Sequence, residues 1–436
     1  MKFTGRSPVR KGTGVAVVVV SLSMLLAACA GTTGTSGGTS SATAPSSGTG
    51  SAAPSTSSTV SADAMKEVLK KALNPDADPS ALPPEVQSVL AAAATAPTAD
   101  QLATWMHCIS QTKCDLGGSG TKTLVVLDDD VNAFYSMEWG EALDQAIKSG
   151  QVKTIMHYNA NSDLTQFLSN WRQAIAKKPD AIVGMFAHFG NQAAPVVAQA
   201  KAAGIAVANG PVAVPPEVAK NMAAEVSEPI CSLFDSLAPT LTAKAKSDGV
   251  TNPTFAFFSG PKGNPYAASW QPCAQKAMEA AGWKLVYTGW DVWSPQGMTT
   301  ASSQLLASGT NPTAILSDYQ VGKFVDAYNK AGKKPPLMAI AGATDVNDFT
   351  QFKSYIDKGI DANVYTNSSQ VWGLRIGVVA ALNAASGQQP SANPIVYPLG
   401  GIDYKSALNY LDLTVPGTVP NGTLLTPAQQ TEAVKH

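Results

Sequence analysis

Arginine is scarce in this chain. It holds four arginines in 436 residues (Arg6, Arg10, Arg172 and Arg375), and charged residues of either sign make up only 14%. Lys2, Arg6, Arg10 and Lys11 fall in the first 28 residues, which leaves 26 basic against 31 acidic residues, a net of −5, for the rest. A surface that neutralises nucleic-acid phosphates needs clustered Lys and Arg, so a nucleic-acid partner is excluded. Histidine is also scarce. None of His107, His157, His188 and His436 completes a metal-ligand spacing with the cysteines. The run Asp128-Asp129-Asp130 has no second acidic cluster to close an oxygen cage around a cation. HExxH is absent, the GxSxG match Gly34–Gly38 falls in the Gly/Ser/Thr-rich stretch and not at a strand-to-helix elbow, and Ser259–Asn264, although glycine-rich, lacks the spacing that cradles phosphates. No catalytic constellation, metal or cofactor is therefore expected.

What is present begins at the N-terminus. The four basic residues precede an apolar run, Val15–Ala28, that is too short to span a bilayer comfortably. It ends in Leu26-Ala27-Ala28-Cys29, which resembles the bacterial lipoprotein signal. That resemblance implies cleavage before Cys29, lipidation of its thiol and a stable membrane anchor; the alternative is an ordinary secretory signal with an incidental cysteine. Residues 29–60 are almost all Gly, Ser, Thr, Ala and Pro, with nothing to bury, and read as a tether. Four cysteines remain. In an exported protein an even count suggests disulfides, and joining neighbours gives Cys108–Cys114 and Cys231–Cys273.

Residues 61–121 read as an extension of short helices broken by prolines. From Thr123 onward, apolar strands alternate with amphipathic helices. Strands are expected at Leu124–Leu127, Val152–Met156, Ala181–Met185 and Ile205–Ala208. The pattern restarts after a connecting helix, with strands at Thr254–Phe258, Lys284–Thr288, Ala314–Ser317, Leu337–Ala341 and Ala362–Thr366. This predicts an α/β chain with two Rossmann-like lobes, each a parallel sheet covered by helices. The first lobe is assigned 122–228 plus 368–390 and the second 229–367 plus 391–420, with a tail at 421–436. A three-segment hinge is expected near Glu228, Asn367 and Pro390.

Parallel sheets bind ligands beyond the carboxyl ends of their strands. Those tips nominate Asp129, Asn132, Phe134, Tyr135, Asn161, Phe186, His188 and Asn209 in the first lobe. In the second they nominate Tyr266, Trp270, Trp293, Asp318, Tyr319, Asp345 and Asn367. Amides and carboxylates there suit hydroxyl groups, and aromatic faces suit the C–H face of a polyhydroxylated ring. Bland roles compete: Asp318 is equally a helix cap, Phe134 and Tyr135 could cap the first lobe's core, and His188 could be a surface histidine.

Residues 122–387 resemble type I periplasmic-type substrate-binding proteins, close to the ribose-binding-like branch of ABC-transporter sugar receptors. Asn132-Ala133-Phe134-Tyr135 is similar to the turn whose aromatics stack on sugar in that family. Asn161-Ser162-Asp163, Lys178–Val183, Ala203–Val207 and Ile315–Asp318 fit its order and spacing. The resemblance implies a non-enzymatic, monomeric receptor that captures a sugar-like ring and delivers it to a permease. A subunit signalling to a membrane sensor, or a receptor for a non-sugar aromatic solute, are the alternatives. Asn209-Gly210 stands where the family often has Asp-Arg, and the family's second-lobe arginine falls near Ala268–Trp270. With no arginine to grip adjacent hydroxyls bidentately, the pocket is expected to be less charged and more aromatic. That shifts the expected solute towards a deoxy sugar, sugar alcohol, glycoside or small aromatic.

Overall fold

The computed structural model describes residues 60–368 and 371–436. The signal segment 1–28, Cys29 and the tether up to residue 59 lie outside the described residues. Within them, no helix is long and apolar enough to cross a membrane.

The aliphatic runs become two sheets. In the first the strand order is Lys113–Asp115, Val152–Asn159, Lys122–Asp128, Ala181–Gly184, Ala206–Asn209. All its pairings are parallel except that of Lys113–Asp115, which runs antiparallel along the edge. In the second the order is Gly401–Asp403, Val364–Asn367, Leu337–Ile340, Ala314–Ser317, Thr254–Ser259, Lys284–Trp290, again parallel apart from the edge strand Gly401–Asp403. Central strands such as Ala181–Gly184 and Ala314–Ser317 are buried throughout, which is why they read as unbroken apolar runs. Helices cover both faces of each sheet, and Trp139 and Trp171 are buried in the first lobe, as their positions on helix faces predict.

The chain passes between the lobes through Val226–Ser227 and Ile395–Val396, which pair as a short parallel ribbon, and through the segment after Val364–Asn367. Asn209 braces this region from the first lobe. Its side chain donates to the carbonyls of Val212 (2.6 Å) and Val226 (3.0 Å) and accepts from the Val226 N–H (2.8 Å). The extension packs on the first lobe's helices, where Trp105 donates to the Gly140 carbonyl at 2.9 Å, and reaches the segment after the ribbon, where Asn74 accepts from the Gly400 N–H at 2.7 Å.

Residues 421–436 are more than an appendage. After the second lobe the chain returns to the first, where helix Pro427–Ala433 packs on helix Ala133–Ser149. The bond set there is charged and dry. Arg375, on the returning helix Gly373–Ala384, is fully buried and donates to Glu141 and to Asp144 (2.6 Å). The same carboxylates hold the tail: Glu141 accepts from the Thr423 hydroxyl and the Leu424 N–H, both at 2.6 Å, and Asp144 from Gln429 at 3.1 Å. Local periodicity carries no sign of this network, because Glu141 and Asp144 read as solvent-facing helix residues.

Removing one member of a buried ion pair strands the others, which costs about 3–5 kcal/mol. Arg375→Met is therefore expected to lower the unfolding free energy by that amount in urea titration. A loss below about 1 kcal/mol, the range of an exposed pair, would show that the cluster is not the first lobe's internal clamp.

Candidate ligand-binding site

Between the carboxyl ends of the two sheets lies a cavity of about 220 Å³. Asn132, Phe134, Tyr135, Met185 and His188 line it from the first lobe, together with Asp130. Tyr266, Trp293, Asp318, Tyr319, Thr344 and Asp345 line it from the second, and Thr418 and Pro420 come from the segment leading into the tail.

Each group is held locally. Asn132 caps helix Ala133–Ser149, its Oδ1 accepting from the N–H groups of Phe134 (2.9 Å) and Tyr135 (3.3 Å). Phe134 and Tyr135 therefore sit in the helix's first turn, where the sequence suggests a turn outside it. The cap explains the shift, since an Asn at that position starts the helix three residues early. The Tyr135 hydroxyl lies 3.3 Å from His188 Nδ1. The His188 ring in turn stacks on Trp293 of the opposite lobe, centroids 5.5 Å apart and planes at 15°, so that rings from the two lobes meet across the cleft.

Asp318 is the organising acceptor of the second lobe. Its Oδ1 accepts from the Trp293 indole N–H at 2.9 Å, and its Oδ2 accepts from Trp270 at 3.1 Å and from the Ser259 hydroxyl. Trp293 needs that anchorage. It and Val292 are consecutive non-glycine residues with φ of 47° and 50°, a conformation that costs roughly 1–2 kcal/mol per residue. Asp291 Oδ1 accepts from the Trp293 N–H at 2.9 Å, and the indole lies so close over Gly260 that a Cβ there would meet its Cε2 at 2.2 Å. Asp345 caps helix Val346–Asp357, accepting from the Asp348 N–H at 3.1 Å and from the Gln320 amide.

Burial dominates the electrostatics. It pushes Asp318 up to about 6 against the pull of its donors, and pushes Asp345 up to about 7. Burial and then repulsion from Asp318 push Asp291 up to about 7. Burial also raises Asp129 well above the carboxylate range and lowers His188, which keeps that imidazole neutral. Among the described residues, no lysine or arginine lines the cavity. The expectation of a less charged pocket is therefore met on the basic side only: the wall is acidic as well as aromatic.

Nine of the fifteen nominated residues line this cavity: Asn132, Phe134, Tyr135, His188, Tyr266, Trp293, Asp318, Tyr319 and Asp345. The other six lie elsewhere. Asp129 is buried behind the wall, accepting from the His188 N–H at 2.9 Å, and its neighbour Asp130 faces the cavity in its place. Phe186 turns into the first lobe's core against Trp171, and it is Met185 that lines the cavity. In both pairs the sequence reading is one residue out of step. Consecutive residues at a strand end point to opposite sides, so choosing the neighbour selects the wrong face. Trp270 is fully buried, stacked on Phe234, and acts on the cavity through Asp318. Asn209 and Asn367 are buried struts, Asn367 donating to the Ile340 (3.0 Å) and Ala341 (2.7 Å) carbonyls. Asn161 is exposed in a left-handed turn with φ 50°. Thr418 and Pro420 were not foreseen, because nothing local marks a stretch 50 residues beyond the last strand tip as cavity wall.

Two parallel-sheet lobes, joined by a multi-segment hinge and closing on one cavity at their strand ends, define a two-lobed binding protein. The chain belongs to the periplasmic binding protein domain family, whose model matches residues 123–389, and its fold is the type I form. Three similar solved structures share that fold at low identity. One is an ABC transporter solute-binding protein of Bacillus halodurans C-125 with bound myo-inositol (17% identity, TM-score 0.55, 67% of this chain and 98% of that one). A second is from Actinobacillus succinogenes 130z with bound D-allose (18%, 0.53, 66% and 100%). The third, from Mycobacterium smegmatis, is in complex with β-D-fucofuranose (16%, 0.56, 67% and 94%). No curated protein sequence matches the chain.

The raised carboxyls give a pH signature. Asp291 and Asp345 hold protons in the folded state that the unfolded chain releases near the ordinary value of 3.8. Their stability contribution is thus present below about pH 4 and lost as pH rises through about 7. The ligand-free protein should show a melting temperature that falls between pH 5 and pH 8, with a smaller fall in Asp345→Asn. An identical fall in that variant refutes the assignment to Asp345.

Proposed function

We propose that the chain is an exported solute-binding protein that closes its two lobes on a small polyhydroxylated ring and presents it to an ABC permease. The observation that carries this reading is the cavity itself. At about 220 Å³ it is small and suits a single ring, it takes stacking rings and hydrogen-bonding groups from both lobes, and it lies between the carboxyl ends of both sheets. Ligand contacts to both lobes favour the closed arrangement, and closure is the event a permease can read. The inositol, allose and fucofuranose held by the similar structures support a ring of this class. The chain's family is one of binding proteins, and recognition without chemical conversion is the proposed role.

The remaining features fit an extracytoplasmic setting. Leu26-Ala27-Ala28-Cys29 supplies a lipidation site, with residues 29–60 as the tether to a monomeric receptor. Cys108 with Cys114 and Cys231 with Cys273 are paired, with Cα atoms 5.5 Å apart in each pair, and we assign both as disulfides of the exported chain. Cys231–Cys273 joins the first helix beyond the hinge to helix Pro265–Ala280, which carries Tyr266 and Trp270.

Trp293 in the wall provides the test. Titration with sugars, polyols and small aromatics should change tryptophan emission for the ligand that binds, and Trp293→Phe should remove most of that change. Phe134→Ala and Asp318→Ala should each weaken the best ligand by at least about tenfold, or 1.4 kcal/mol. Unchanged affinity in both variants would sink the site. A best ligand without hydroxyl groups would replace the sugar-like class with an aromatic solute.

A further inference from the structure

We infer that the ring this cavity takes carries a protonated amine, as in an amino sugar or an aminocyclitol. The inference rests on the proposed function and narrows it.

Three carboxylates reach the wall, Asp130 from the first lobe and Asp318 and Asp345 from the second, and among the described residues no Lys or Arg reaches it with them. His188 cannot supply the missing charge, since burial favours its neutral form. Two further acids stand directly behind, Asp129 and Asp291, each fully buried with one carboxyl oxygen that has no hydrogen-bond partner. A site of this sign rejects anions. It also sets a neutral polyol apart from a cationic one. A neutral polyol leaves these acids uncompensated or protonated as the cavity closes, the direction in which burial already pushes Asp318 and Asp345, whereas an ammonium group lets them ionise against a partner.

The hydrogen bonding of Asp318 sharpens the point. Three internal donors, the two indoles and Ser259, already occupy its oxygens. What remains for a ligand is mainly a fixed negative charge at a set position. Phe134, Tyr135, Tyr266, Trp293 and Tyr319 surround the same space, and aromatic faces attract an ammonium group through their quadrupole.

Closure makes the effect selective. Bringing the lobes together moves Asp130 towards Asp318 and Asp345, so their ionised forms repel one another and protonation is favoured, as burial already favours it at Asp345. A cation placed among them removes that repulsion only in the closed form, which is the differential affinity that drives a two-state equilibrium. A neutral ring provides no such difference through charge.

Calorimetric titration of the purified protein with matched pairs tests this: D-glucosamine against D-glucose, D-galactosamine against D-galactose, scyllo-inosamine against scyllo-inositol. The amine of the best-binding pair is expected to bind at least about tenfold more tightly than its neutral partner. Asp345→Asn should shrink that ratio several-fold, whereas loss of general fold or packing would weaken both members alike and leave the ratio. A neutral member that binds as well as or better than its amine overturns the inference and leaves the solute-binding reading standing, as does a ratio unmoved in Asp345→Asn. If no member of any pair binds, and only non-hydroxylated solutes do, the polyhydroxylated-ring reading falls and this inference with it.

Discussion

A single buried guanidinium ties together segments that are far apart in the chain. Arg375 sits on the helix that returns from the second lobe, and the two carboxylates it meets lie on the helix whose first turn carries Phe134 and Tyr135. Those carboxylates in turn grip the tail through Thr423, Leu424 and Gln429. One dry ion cluster thus fixes the angle of the helix that presents the stacking face, the end of a hinge passage and the anchor of the last segment. Buried charge is expensive to assemble, and its worth lies in being intolerant of alternatives. In a protein that must move two lobes, such a clamp leaves the movement to the hinge and keeps the first lobe rigid.

The second lobe solves the same problem with a carboxylate in place of a guanidinium. Asp318 gathers two indoles and a hydroxyl and holds Trp293 in a backbone conformation it would not adopt unaided. Both lobes therefore bring preorganised walls to the cleft, so that ligand binding is not charged with ordering them. The charge left over is negative on both sides. This asymmetry separates the cavity from a neutral polyol site built on arginine–carboxylate pairs.

Much of the architecture was legible because it repeats. Strands such as Ala181–Gly184 and helices such as Leu164–Ala176 announce themselves by burial and period, and the observed boundaries fall within a few residues of those expected. Residues at the edge of the pattern were not legible. Lys113–Asp115 and Gly401–Asp403 are three residues each, too short for a period, and become strands only because a longer neighbour offers its edge. In the site, residue type was readable and facing was not. Asp129 in place of Asp130, and Phe186 in place of Met185, are errors of one position at strand ends, where backbone angles decide which way a side chain points. Asn209 and Asn367 carry the right chemistry for hydroxyls, but buried carbonyls claim it first.

The tail changes what counts as the receptor. The recognisable family domain spans residues 123–389, yet Gly401–Asp403 completes the second sheet and Thr418 and Pro420 form part of the wall. The residues beyond them close the Arg375 cluster. A chain trimmed to the recognisable domain would keep the family's signature and lose a sheet edge, part of the cavity wall and the tail's hold on the Arg375 cluster. In this protein the recognisable module and the working unit are different objects, and the smaller one is incomplete without the sequence that follows it.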